Sequence, residues 1–515
     1  MGMKYREKPT AIIVGGVLTL IMLLIFMGIP LFNGVMLAFS DLNLREADNP
    51  WGGKIVGFDN FMAIFRNKDF IEALLNTLKI NLVYILLLTV FAVFLAESLI
   101  RLDKGVQKFF VTFFLVPAFI PSMVIAHAAS LLLPETAASG RFPWGAAIYA
   151  AVMTVKTAGI PLLFILESWQ QDTGESPWGG LKRWAVSVVF VLIQLSAILT
   201  IDPDVLKNIP GFSAGVSLLD FIMAGEMGPA GPSQAAWLVQ VSVQLILGIV
   251  AYFLLKAIFG SRKAWVYTYK YPDKSPLGFI LPVLYTLFLA WFLYRPLLVG
   301  GARGLSAGLA LLPDRNYMVF LKHTALLALV SLAGVPVSVL LARCFAGEGF
   351  LGGLTRALLI LFVLTGNIGL HQYLFYKSLG LLNTWYGYAA HSFFPLMNSI
   401  VLAFILRRRI EPYGAEIWKP AFGLGMLHFI SMWNSPYISI TFSKTREGYT
   451  PAAFIESMAR VRLIQAGAEN AGQLDPREII LGLDLLLALV PVFLFLVFRR
   501  LLANSVLMSY ARVKG

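Results

Sequence analysis

The chain is 515 residues long, 58% hydrophobic and 13% charged, where soluble domains carry about 25% charged residues. That excludes an ordinary soluble enzyme or binding module, and the single cysteine, Cys344, excludes an intramolecular disulfide framework or a cysteine-only metal cluster. The net charge of +13 sits in alternating basic loops rather than on one basic face, which excludes a nucleic-acid footprint.

From the N-terminus, the basic start Lys4-Arg6-Lys8 leads into an apolar run over 11–32. It resembles a signal peptide, but the run is too long and no small-residue cleavage site follows, so it reads as an uncleaved first helix. Apolar runs then recur at 78–99, 109–132, 145–167, 184–201 and 236–258. After a basic, aromatic, proline-punctuated seam over 259–277, further runs follow at 278–298, 324–342, 357–377, 385–405, 420–436 and 479–498. Each approaches the ~20 residues that a helix needs to cross a bilayer. Arg101, Lys104 and Lys108, then Lys182 and Arg183, then Arg407-Arg408-Arg409 fall in alternate loops with both termini, which puts the termini in the cytoplasm. The longer segments 40–77, 202–235 and 437–478 fall on the outer face as loops and short helices.

Asn60-Phe61-Met62 before one run matches Asn316-Tyr317-Met318 before another, and Asn76-Thr77 matches His323-Thr324, roughly 250 residues apart. The expected fold is therefore an all-α integral membrane protein of about twelve transmembrane helices in two parallel six-helix repeats. The halves are 1–262 and 278–515, joined by a cytoplasmic linker over 263–277. Helices beginning near Asn76 and His323 should be exchanged by the internal twofold.

No phosphate loop, HExxH, CxxC or GxSxG motif occurs, so neither a catalytic group, a metal centre nor a cofactor is expected. What remains is a set of residues costly at membrane depth, where a charge costs about 3 kcal/mol or more unless paired or wetted. Lys79, Glu97, Glu167 and Lys377 lie near span ends and can snorkel. Lys156 lies deep in its span and is followed by Thr157, Gly159 and Pro161, a polar and kinked stretch suited to a cavity lining. His127 and His371 sit on spans interrupted by Pro or Gly, and Asp484 is a further intramembrane carboxylate. Gln372, Tyr373 and Tyr376, with Trp433 and Asn434, combine ring faces and amides that suit a polyol-like solute, or anchor the chain at the membrane interface. Lys156, His127, His371, Gln372, Tyr373, Tyr376, Trp433 and Asn434 are thus the substrate-path candidates.

In order along the chain, VGFDNF (56–61), FFLVPAFIPSMVIA (113–126), FIMAGEMGPAGPSQAAWLV (221–239), NYMVF (316–320), YKSLGLLNTWYGY (376–388), KPAF (419–422), MWNSPY (432–437) and ARVKG (511–515) form a pattern. It resembles the membrane subunits of carbohydrate importers of the ATP-binding-cassette class, maltose type, with two subunits fused. The resemblance covers about residues 10–515. It implies a permease for a carbohydrate-like solute in the bacterial cytoplasmic (inner) membrane, with membrane lipid around it and a separate cassette ATPase and extracytoplasmic solute-binding protein as partners. The family's Glu-Ala-Ala coupling loop is missing from both places where it belongs, 168–183 and 406–419, where Pro177 and Pro412 also disfavour a docking helix. That departure opens an alternative: an ATP-uncoupled homologue serving as an integral scaffold in an envelope or polysaccharide assembly. A third reading, a secondary transporter, would place Lys156, Glu97 and Asp484 on a proton path.

Overall fold

A computed structural model describes residues 9–43, 53–132, 145–170, 187, 191–192, 194–195, 197–208, 217–224, 230–259, 275–310, 314–365, 370–408, 417–436, 442–443, 449–457 and 476–506. Among them every named element is helical, and a bridge between extended residues pairs Ser40 with Ile55. Among the described residues, six helices are long and apolar enough to cross a bilayer: Ile13–Ala38, Lys68–Leu99, Ala230–Ala251, Pro276–Ser306, Met318–Ala346 and Glu478–Arg499. Two bent pairs bring the number to eight if each is one span. This is an all-α, multi-pass membrane protein. Its exposed surface agrees: Leu82, Leu86, Val90 and Phe94 form an outward apolar stripe on one helix, with the buried residues on the other face. An apolar outer face at helical spacing needs an apolar solvent.

The first half contains α1 (Pro9–Leu23) and α2 (Ile29–Ala38), joined by a π turn over Leu24–Gly28. Then come α3 (Asp59–Arg66), α4 (Lys68–Leu99), α5 (Lys104–Phe119), α6 (Ser122–Ser130), α7 (Gly145–Thr157) and α8 (Gly159–Gln170). Short α9 (Pro203–Asn208) and α10 (Leu218–Ala224) precede α11 (Ala230–Phe259). The second half opens with a 3-10 turn (Pro276–Phe279), α12 (Ile280–Leu289), π turns over Ala290–Tyr294 and Pro296–Gly300, and α13 (Gly301–Ala310). It continues with α14 (Asp314–Ala346), α15 (Gly349–Thr365), α16 (Leu370–Ser378), α17 (Trp385–Ser392), α18 (Leu396–Arg408), α19 (Trp418–Asn434) and α20 (Pro476–Val506).

The described residues hold six to eight candidate spans where about twelve were expected, and proline or glycine stands at the breaks within them. The run 109–132 divides into α5 and α6, which meet at 94°. Pro121 disfavours helix at Ile120, whose backbone is extended (φ −76, ψ 136). The run 357–377 divides into α15 and α16, bent by 110° across 366–369. The run 145–167 breaks at Ala158, between α7 and α8, where a Cβ on Gly159 would overlap the Phe114 carbonyl of α5. The run 385–405 breaks ahead of Pro395, and the run 184–201 and the linker 263–277 lie largely outside the described residues.

Contacts between elements come in matched pairs. Within each half, the opening helix packs on the last long helix: α2 on α11, and α13 on α20. The second long helix holds the pair cut by a break: α4 against α7 and α8, α14 against α17 and α18. Across the halves, α1 packs on α14 while α12 packs on α4. Likewise α11 meets α15 while α20 meets α5, and α2 meets α16 while Ala290–Tyr294 meets α6. So α4 and α14, the helices carrying Asn76 and His323, stand in the same relation to the first helix of the opposite half.

The two opening helices share a further detail. In each, a π turn (Leu24–Gly28, Ala290–Tyr294) is followed by one residue and then a proline, Pro30 or Pro296. Proline has no N–H to offer the carbonyl one turn back, and a π turn redistributes the hydrogen bonds around that gap. The bonds Ile29 N–H to Leu24 C=O and Arg295 N–H to Ala290 C=O close the two turns.

Candidate functional site

A helix break inside a bilayer leaves backbone carbonyls that no water can satisfy, at several kcal/mol each. The α5/α6 break shows where its groups go. Ile120 N–H donates to Pro117 C=O at 3.1 Å, and Val124 N–H to Pro121 C=O at 3.1 Å. Lys156 Nζ on α7 donates to the Ile120 carbonyl at 2.9 Å, and Asn434 Nδ2 at the end of α19 donates to the Phe119 carbonyl at 2.9 Å. Two substrate-path candidates from opposite halves thus converge on adjacent carbonyls of one break.

One turn further on, α6 brings His127 to a third. Its Nδ1 lies 2.7 Å from Asp484 Oδ2 on α20, and its Nε2 lies 3.1 Å from Asn208 Oδ1 on α9. Asp484 is fully buried, and its other oxygen, Oδ1, has no hydrogen-bond partner among the described residues. A second polar cluster joins the start of α6 to α7 and α9. Ser122 donates to Asp202 Oδ2 at 2.5 Å, Asp202 N–H donates to the Tyr149 hydroxyl at 2.8 Å, and Asp202 Oδ1 accepts from Asp204 N–H at 3.0 Å. Asp204, on the short helix α9 outside the long apolar helices, is held well above the usual carboxylate range. Burial is the main cause and the Asp202 and Glu456 carboxylates add to it, against the pull of Lys156 and Lys207.

The other broken helix, α16, carries His371, Gln372, Tyr373 and Tyr376. His371 Nδ1 lies 3.2 Å from Gln234 Oε1 on α11, and its ring lies over Trp237, centroids 4.3 Å apart. Both broken helices therefore set a histidine against the last long helix of the opposite half, one facing a carboxylate and one an amide. Gln372 is buried with its Oε1 unpartnered among the described residues, and half-buried Tyr373 packs on the cluster of Leu37, Leu370 and Leu374. Tyr376 lies against Phe442 (4.8 Å), Phe375 (5.7 Å) and Phe26 (6.5 Å), and Trp433 against Phe320 (5.6 Å) and Phe429 (5.9 Å). These rings are in contact with protein. Trp433 Nε1 donates to the Leu487 carbonyl at 3.0 Å, the group that Pro491 leaves without its helical donor.

Glu97 pairs with Arg101 at 3.2 Å near the end of α4, and Lys377 is exposed near the end of α16. Lys79, expected at a span end, is exposed on the interior of α4, which begins at Lys68. Lys79 lines a surface groove of about 380 Å³ with Arg66 and Lys68, remote in sequence from the break. His428 Nε2 donates at 2.7 Å to the Ser392 carbonyl, freed by the α17/α18 break. The side chains of Glu167 and His391 lie outside the described residues, as do most of both places for a coupling loop (171–186 and 409–416). Among the described residues no group of three or more His, Cys, Asp or Glu is placed to hold a metal ion. The sequence reading missed Asn208, Gln234 and the Asp202 cluster, and it noticed Asp484 without its partner.

No protein-family model matches this chain, and no curated protein matches it. The motif resemblance to sugar-importer permeases therefore has no family match behind it, and what stands is a multi-pass helical membrane protein.

Proposed function

We propose that this chain is a permease-type membrane subunit that passes a polar, carbohydrate-like solute along the seam between two parallel six-helix halves, 1–262 and 278–515. The observation that carries this reading is the reciprocal packing of the halves. Each half's broken helix meets the last long helix of the other, and discontinuous helices with buried polar groups at a repeat interface are how solute paths are built in bilayers. The same reading takes the shorter helices α7/α8, α17/α18 and α19 as parts of a twelve-span arrangement with both termini cytoplasmic. It places the chain in a bacterial inner membrane and gives it a cassette ATPase and a solute-binding protein as partners. Lys156, His127 and Asn434 then line one side of the seam and His371, Gln372 and Tyr373 the other.

A second reading, an integral scaffold for envelope or polysaccharide assembly, is favoured by one observation: the rings of Tyr376 and Trp433 are packed against protein. Counterflow of radiolabelled maltose, sucrose and glycerol into proteoliposomes separates the two. The permease reading expects at least one label to accumulate above protein-free vesicles. No accumulation of any label, with assembly proteins rather than an ATPase retained on purification in mild detergent, would leave the scaffold.

A further inference from the structure

The hydrogen-bond geometry around His127 contains one proton more than its groups hold at rest. Asn208 Nδ2 donates to the Asp204 carbonyl at 2.7 Å, which fixes the amide so that its oxygen faces the histidine. That oxygen can only accept, so His127 Nε2 must carry a hydrogen. The other ring nitrogen, Nδ1, faces a carboxylate oxygen at 2.7 Å. A neutral imidazole protonated on Nε2 has only a lone pair to present there, and an ionised Asp484 likewise. Two lone pairs do not make a contact of this length in a buried setting. The contact is satisfied in two ways: an imidazolium beside a carboxylate, or a neutral imidazole accepting from a protonated carboxyl. Both hold the same additional proton.

Charged groups lie close to it: Asp484 and Glu456 act on His127, and Asp202, Glu456, Lys156 and Lys207 act on Asp204. The elements packed on α6 add Tyr149 and Lys156 from α7, Tyr294 from the π turn, and Asp204, Lys207 and Asn208 from α9. Four carboxyl groups (Asp202, Asp204, Glu456 and Asp484) thus belong to one set of interacting groups with two amines, Lys156 and Lys207, of which Lys207 is exposed. Such a set gains by binding a cation, and the hydrogen-bond pattern specifies a proton.

We propose that His127 and Asp484 form a proton-binding site in the seam between the halves. Uptake of one proton from the aqueous phase onto the imidazole–carboxylate pair closes α6 on α20. Its release to water restores facing lone pairs and drives the two helices apart. As pH rises the seam weakens. Only the further role of this proton as a driving ion rests on the permease reading; the site itself is read out in a protein that moves nothing.

The test is a double-mutant cycle of His127→Gln and Asp484→Asn on the full chain in lipid nanodiscs, read as thermal unfolding at pH 5.5 and pH 8.5. The coupling between the two positions is expected to be about tenfold in the unfolding constant at pH 5.5 and absent at pH 8.5. Asn208→Ala supplies a control that a merely structural contact would not answer to. Without the Asn208 acceptor, neutral His127 is free to carry its hydrogen on Nδ1, so the coupling persists at both pH values. Equal coupling at both pH values in the otherwise unaltered chain overturns the proposal. Should either single variant fail to fold, ¹⁵N NMR of the histidine rings in the unaltered chain reads the same proton. Replacing His323, His371, His391 and His428 by Gln one at a time assigns the signals. Protonation of both His127 nitrogens at pH 5.5 but not 8.5 supports the site, as does an Nε2-protonated ring with an Asp484 carboxyl proton, read by ¹³C in the same chain, that is lost at pH 8.5; no change at either group between the two pH values overturns it.

Discussion

At the scale of single residues, several polar side chains in the apolar interior satisfy backbone carbonyls at helix ends and breaks. Asn60 Nδ2 donates to the Ala38 and Ser40 carbonyls at the end of α2, at 3.0 and 2.8 Å. Asn81 Nδ2 does the same for Ile198 and Thr200, at 2.7 and 3.0 Å. Trp433 and the Leu487 carbonyl give the cleanest test. Trp433→Phe keeps the ring but removes the donor, and a hydrogen bond between membrane helices is worth about 1 kcal/mol. Thermal unfolding in detergent should show a lowered midpoint, while Trp418→Phe, on a half-exposed side chain, leaves it in place. An unchanged midpoint in Trp433→Phe would mean that Leu487 finds another donor. The sequence marked Lys156, His127, Asn434 and Asp484 as costly because charge and amide at membrane depth are rare. Their partners were not legible: Lys156 reaches 36 residues back, Asn434 315 and His127 357 residues ahead. No local pattern encodes separations of that size.

At the scale of elements, helix existence was legible and helix continuity was not. Apolar runs show where a chain enters the bilayer, but Pro121, Gly159 and Pro395 cut helices only because neighbouring elements take up the freed groups. The repeated π turns ahead of Pro30 and Pro296 carried a readable signal, a proline at matched positions in two apolar runs. Close packing of α13 on α20 rests on Gly300, Gly304 and Gly308, spaced at four residues, with Gly482 opposite. A Cβ on Gly304 would overlap the Glu478 carbonyl, and one on Gly482 would come within 2.5 Å of the Gly304 carbonyl carbon. Small residues at this spacing let helix backbones approach where lipid offers no hydrophobic drive. Gly304→Val should therefore separate the two helices and cost several degrees in unfolding midpoint. Gly105→Ala, where nothing lies near a Cβ, should leave it unchanged. Equal stability of the two variants would show that α13 and α20 are not in backbone contact.

At the scale of the molecule, the sequence offers only matching fragments such as Asn60-Phe61-Met62 and Asn316-Tyr317-Met318, because lipid-facing positions constrain residue class and not identity. The contacts of the fold are reciprocal, with the opening helix of each part of the chain packed on the second long helix of the other. That reciprocity is the central claim, and disulfide trapping of both contacts measures it. Gly16→Cys sets a thiol beside native Cys344, which joins α1 to α14. Gly278→Cys with Arg101→Cys, in a Cys344→Ala chain, joins the start of the second half to the end of α4, where a Cβ on Gly278 lies 3.1 Å from that of Arg101. With a protease site inserted in the linker near residue 267, both chains should run as one reducible band after oxidation and cleavage in the membrane. Formation of one cross-link without the other would contradict the account.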